Sequence, residues 1–84
     1  MYLDALKFLS GLDAKQYKQV AAKMLSLMIN ATPADYSLLK GFGAYRVDVG
    51  EYRIIYEFDQ DTVTIVLIGK RNGEEVYQRL KRLS

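Results

Sequence analysis

The sequence predicts an α+β domain in which an N-terminal αα-hairpin packs on an antiparallel β-meander and a short helix closes the chain. Three observations lead there. Apolar residues recur at helical spacing up to Asn30, apolar and polar residues then alternate about Gly50 and again from Thr62 to Gly69, and helical spacing returns from Glu74 to Ser84. At 84 residues the chain predicts a single domain, residues 1–84, with a thin core. Half of its residues are hydrophobic, which is ordinary for a folded protein and too high for disorder.

The first helix is read from Leu3, Leu6, Phe8 and Leu9 and is broken at Gly11. Asp13 followed three residues later by Gln16 is a capping-box pattern and starts the second helix. That helix is expected to turn Tyr17, Val20, Ala21, Met24, Leu25 and Met28 to one side. It should end near Asn30, because Thr32 precedes Pro33 and is pushed out of the helical region. Leu38 to Gly43 then leads into the sheet through two glycines. Its Gly41-Phe42-Gly43 lacks the spacing of a phosphate-cradling loop and reads as a turn.

The alternation sets a register for the meander. With Gly50-Glu51 as a two-residue turn, type II′ because Gly comes first, Val49 faces Tyr52, Val47 faces Ile54 and Tyr45 faces Tyr56 on an apolar side. Asp48 meets Arg53 and Arg46 meets Ile55 on the other. With a turn at Gln60-Asp61, Phe58 meets Val63, Tyr56 meets Ile65 and Ile54 meets Leu67, so the core face is expected to continue without a slip. The opposite face should hold Ile55, Glu57, Val66 and Ile68 with Arg46, Arg53 and Lys70. Asn72-Gly73 is a turn signal. Val76, Leu80 and Leu83 mark the last helix, with Tyr77 beside them and a basic end at Arg79, Lys81 and Arg82.

Composition removes several chemistries. The chain has neither cysteine nor histidine, which excludes disulfides, thiolate metal sites and serine–histidine nucleophile systems. No metal or other cofactor is expected. Asp59 and Asp61 flank a hairpin turn and read as a solvated turn. No apolar run approaches the ~20 residues of a membrane span, and Met1 to Leu12 is too short and polar for a signal peptide, so the cytoplasm is the expected location. A formal charge of +2 is only mildly basic, so any case for nucleic acid rests on where the arginines sit.

What remains is arginine, lysine and tyrosine. Guanidinium groups offer paired planar donors that suit phosphate oxygens. RNA can be cut by attack of its own 2′-hydroxyl, given a protein that aligns the backbone and stabilises the extra negative charge. Arg46, Arg53, Lys70 and Arg71 are candidates for charge stabilisation, and Tyr77 for stacking on a base or proton transfer. The plainer reading stands beside this one. Arg46 and Arg53 would be solvated outer-face residues, Asp48 opposite Arg53 an ordinary cross-strand ion pair worth ~0.2–1 kcal/mol, Tyr77 a core-edge residue and the basic end a helix surface.

The ordered series Leu39-Lys40-Gly41, Tyr45-Arg46-Val47, Gly50-Glu51-Tyr52-Arg53-Ile54-Ile55-Tyr56, Gly69-Lys70-Arg71 and Glu75-Val76-Tyr77 resembles the RelE/ParE superfamily of bacterial and archaeal toxins over nearly the whole chain. The resemblance implies two helices packed on an antiparallel sheet and a cognate antitoxin as partner. Its RelE branch implies a metal-independent endoribonuclease, an mRNA interferase that cleaves message in the ribosomal A site. On that branch Arg53 and Arg71 would stabilise the scissile phosphate, Arg46 would position the backbone, Tyr77 would stack on RNA, and Lys40 and Lys70 would add weaker RNA contacts. The antitoxin would be an acidic segment that covers this face or displaces the last helix. The alternatives are a ParE-type toxin that poisons DNA gyrase without nuclease activity, and an inactive module that keeps only the antitoxin contact.

The sequence departs from the RelE pattern in two places. A lysine belongs two residues after the Arg46 position, and here Asp48 stands there, as a proton acceptor or as a neutraliser of Arg53. A full strand usually precedes the first helix, whereas only Met1-Tyr2-Leu3 does so here, which leaves a flank open to self-association or a partner. In addition, strict alternation places Lys70 rather than Arg71 on the arginine face, unless a bulge at Gly69 or an early turn intervenes.

Overall fold

The computed structural model describes residues 1–72 and 74–83, with Leu83 described in its backbone alone. Among these residues three helices and four strands follow in the order α1 (Leu3–Ser10), α2 (Ala14–Ile29), β1 (Ser37–Leu39), β2 (Ala44–Val49), β3 (Tyr52–Phe58), β4 (Val63–Lys70) and α3 (Glu75–Leu83). The strands form one antiparallel sheet in sequence order. The architecture is the α+β one expected, of RelE-like type, with two corrections inside the sheet.

The first correction is a fourth strand. Ser37–Leu39 pairs with β2, Leu39 opposite Ala44, where the sequence reading had only a lead-in. Gly41 and Gly43, at φ of 87° and 65°, make the turn that returns the chain. Phe42 between them packs against buried residues, so this segment is a structural turn.

The second correction is a bulge. β2 and β3 pair as the alternation requires, from Tyr45 opposite Tyr56 to Val49 opposite Tyr52. Gly50 at the turn has a φ of 57°, and Glu51 does not share the positive φ, which fits type II′. Between β3 and β4, Phe58 faces Val63 and Tyr56 faces Ile65 as expected, but Ile55 then faces Leu67 and Ile54 faces Ile68. Val66 is the extra residue, and everything after it changes sides. Ile68 joins the core beneath the first two helices, Leu67 turns to the opposite face, and Lys70 stands beside Tyr52 instead of with the arginines. The run Ile65-Val66-Leu67-Ile68 permits this because both faces of the sheet are covered there. A shift of one residue exchanges one buried apolar side chain for another.

On one face Ala5, Leu9, Val20, Met24 and Leu27 pack against Val47, Ile54, Tyr56, Ile65 and Ile68. The buried stripe of α2 is therefore Val20, Met24 and Leu27, whereas Tyr17, Leu25 and Met28, expected on the same side, are exposed. Asp13 caps α2 as read, accepting a 2.8 Å bond from the Gln16 amide. Among the described residues no strand precedes α1. The Tyr2 amide donates to the Ile65 carbonyl at 2.9 Å, and α1 itself lies along β4.

On the other face Val76 and Leu80 of α3 pack against Leu39, Ala44, Ile55, Val66 and Leu67. Burying each is worth roughly 1.5–3 kcal/mol, which is what holds a helix too short to persist alone. The chain passes beneath α3 at Gly69, where even a β-carbon would collide with Val76. The proposed turn at Asn72-Gly73 and the last residue of the proposed helix, Ser84, involve positions outside the described residues.

Candidate functional site

Asp48 and Arg53 are brought face to face by the β2–β3 register, on the side of the sheet that carries α3. The Arg53 guanidinium donates through Nε to Asp48 Oδ1 at 2.8 Å and through Nη2 to Oδ2 at 3.3 Å. Its Nη1 donates to the Tyr77 hydroxyl oxygen at 2.6 Å, with the guanidinium carbon 5.8 Å from the centre of the Tyr77 ring. Tyr77 reaches this position because its neighbours Val76 and Leu80 anchor α3 to the sheet. Arg46, two residues before Asp48 on the same side of β2, brings Nη1 to 4.0 Å from Asp48 Oδ2.

Arg71 follows β4. Its amide donates to the Glu51 carbonyl at 2.9 Å, and its charge acts on Asp48. Through the bulge at Val66, Gly69 lies opposite Arg53, so continued alternation carries Arg71 to the arginine side. A bulge was needed to bring Arg71 there, and it lies three residues earlier than Gly69.

The electrostatics follow from this packing. The hydrogen bonds from Arg53 hold the Asp48 carboxyl below its ordinary value, with further help from the charges of Arg53, Arg46 and Arg71 and against partial desolvation. The same bonds to Asp48 raise Arg53 further. Asp48 is therefore an ionised carboxylate at neutral pH and a weak proton acceptor. Three guanidinium groups less one carboxylate leave two positive charges in the cluster. Arg53 is mostly covered, its side chain 14% exposed, whereas Asp48 and Arg46 are 34% and 32% exposed. The arrangement suits an anion that approaches from solvent.

The two expected lysines are not part of it. Lys70 sits opposite Tyr52, on the helix-hairpin side, because of the bulge. Lys40 lies in the β1–β2 turn, level with Leu39 and Ala44, roughly 13 Å along the sheet from Asp48. Two shallow cavities of about 310 and 270 Å³ lie elsewhere. One is between the end of α2 and the β3–β4 turn, the other between the start of α2 and the Gly50 turn. Among the described residues no group of three or more carboxylates is arranged to hold a metal ion. Asp59 instead accepts the amides of Asp61 and Thr62 at 2.9 and 2.8 Å and shapes its turn.

One structural pair escaped the sequence reading. Arg79, read as part of a basic helix surface, is mostly covered, bonds to Asp4 of α1 and lies 5.4 Å from the centre of the Phe8 ring. It ties the two ends of the chain together around β4. No local pattern links residues so far apart, and the nearest clue was Gly69, whose missing side chain leaves room for Arg79 as well as Val76.

A model of the family described as the ParE toxin of type II toxin–antitoxin systems matches residues 3–74. Comparisons with curated proteins and with solved structures found no match. No helix among the described residues is long and apolar enough to cross a membrane.

Proposed function

Since the chain belongs to the ParE toxin family of type II toxin–antitoxin systems, within the RelE/ParE superfamily, we propose that it is a metal-independent endoribonuclease acting on ribosome-bound messenger RNA. The observation that carries this reading is the gathering of Arg53 and Arg46 about the Asp48 carboxylate, with Arg71 near enough for its charge to act on it and the Tyr77 hydroxyl bonded to Arg53. Guanidinium groups from separate strands present charge to a phosphodiester from more than one direction, and an adjacent phenol ring offers a stacking surface for a base. Arg53 and Arg71 would stabilise the charge that develops when the 2′-hydroxyl attacks the phosphate. Arg46 would align the backbone, and Tyr77 would orient the base beside the cut. Aligning the RNA in its reactive geometry falls partly to the ribosome.

In a cell-free translation reaction the intact protein should cut message, and Arg53→Ala should leave it whole. Uncut message with correctly folded wild-type protein overturns the reading.

A second reading has its own support. Asp48 occupies two of the Arg53 donors, and the matched family description is that of ParE, so a non-nuclease toxin that inhibits DNA gyrase is the alternative. A supercoiling assay separates the two. As a type II toxin the protein has a cognate antitoxin as its partner. An acidic, partly extended antitoxin segment over the arginine cluster would block either activity by occupying the same donors.

A further inference from the structure

We propose that Asp48 is an internal anion that closes this site: its carboxylate holds on Arg53 the paired donors that a phosphate group would take, and an anionic ligand binds by displacing it. The inference rests on reading the cluster as a phosphate site and adds what controls entry to it.

The geometry fits displacement in three respects. The carboxylate engages the Arg53 fork through both of its oxygens, at 2.8 and 3.3 Å, which is the two-point contact by which guanidinium groups grip phosphate oxygens. Asp48 is about one-third exposed, so water competes for it and the pair is weakly held despite its shape. Arg53, by contrast, keeps a second hold without Asp48, because its third nitrogen is bonded to the Tyr77 hydroxyl at 2.6 Å and its guanidinium carbon lies 5.8 Å from the centre of that ring. The carboxylate also has somewhere to go. Arg46 Nη1 is already 4.0 Å from Asp48 Oδ2, so the released side chain exchanges one cation for another. Arg71, exposed at the end of β4, adds positive charge at the same place to attract the incoming anion.

Inorganic pyrophosphate, titrated into the wild-type protein while the Arg53 Nε–H signal is followed by NMR, tests this without RNA or a ribosome. Asp48→Asn should bind pyrophosphate at least about tenfold more tightly than wild type, equivalent to ~1.4 kcal/mol. Asp48→Ser, which is shorter and also uncharged, should do the same, and Asp48→Asn combined with Arg53→Gln, which lacks that signal and is followed by titration calorimetry alongside the others, should lose the gain. Equal or weaker binding by both Asp48 variants overturns the proposal, as does no binding by either, since an opened arginine cluster would then have no use for the anion. Thermal melts of the same samples establish folding. The translation assay remains a separate readout: intact message alongside the expected pyrophosphate result would sink the nuclease reading and leave the displacement standing.

Discussion

A β-carbon on Gly69 would collide with Cγ2 of Val76, so strand β4 and helix α3 meet there with no room for a side chain between them. Gly69→Ala must therefore push α3 away from the sheet, and Tyr77 with it. A loss of about 1–3 kcal/mol is expected, the range for overpacking a tight contact. Chemical denaturation should show that loss, and hydrogen exchange should show weakened protection in α3. Gly41→Ala is the contrast. Nothing lies near that position, and its cost is the strain of a φ of 87°, about 1–2 kcal/mol, with α3 unaffected.

Arg53→Lys keeps the charge but loses the fork. An ammonium group cannot bond both Asp48 oxygens in a plane while donating to Tyr77. If the cluster stabilises a transition-state phosphate, message cleavage should fall about 10²-fold or more. Folding stability should change by less than ~1 kcal/mol, because the Asp48 partner is partly exposed. A melting curve measured beside the cleavage assay checks both.

The Asp48 carboxyl sits below its ordinary value of 3.8, chiefly because Arg53 bonds to the charged form. Depressed in the folded state, it contributes stability that is complete above about pH 4 and is lost as pH falls through the lower folded value. Denaturant melts at pH 7 and at successively lower pH below 4 should therefore converge for wild type and Asp48→Asn as the medium becomes acid. A constant difference between them would show that Asp48 acts through packing rather than charge.

Tyr56 gives the opposite limb. Its side chain is fully buried, its hydroxyl donates to the Ala31 carbonyl at 2.7 Å, and burial pushes the phenol up to about 12, with Asp35 and the neighbouring tyrosines Tyr36 and Tyr45 adding to it. Raised in the folded state, it contributes stability that is complete below pH 10 and is lost as pH rises from there through about 12. Tyr56→Phe should cost about 1 kcal/mol at pH 7 for the lost hydrogen bond and flatten the alkaline limb. Unfolding curves at pH 7, 10 and 11 would reveal either effect.

The sequence by itself determined the elements whose signals are local. Asp13 and Gln16 start α2, Gly50 sets the first hairpin, and the alternation from Tyr45 to Tyr56 places Asp48 against Arg53. Each depends on a few adjacent residues, and each residue offers one apolar and one polar choice of face. The tertiary structure alone decided which way Ile65-Val66-Leu67-Ile68 would turn. Four apolar residues in a row satisfy either face when helices cover both, so alternation carries no information there, and packing chose the bulge at Val66 that removes Lys70 from the arginine side and turns Arg71 toward it. The contacts of Arg79 with Asp4 and of Tyr77 with Arg53 were likewise decided by where α3 docks, because they join residues that no short window of sequence contains together.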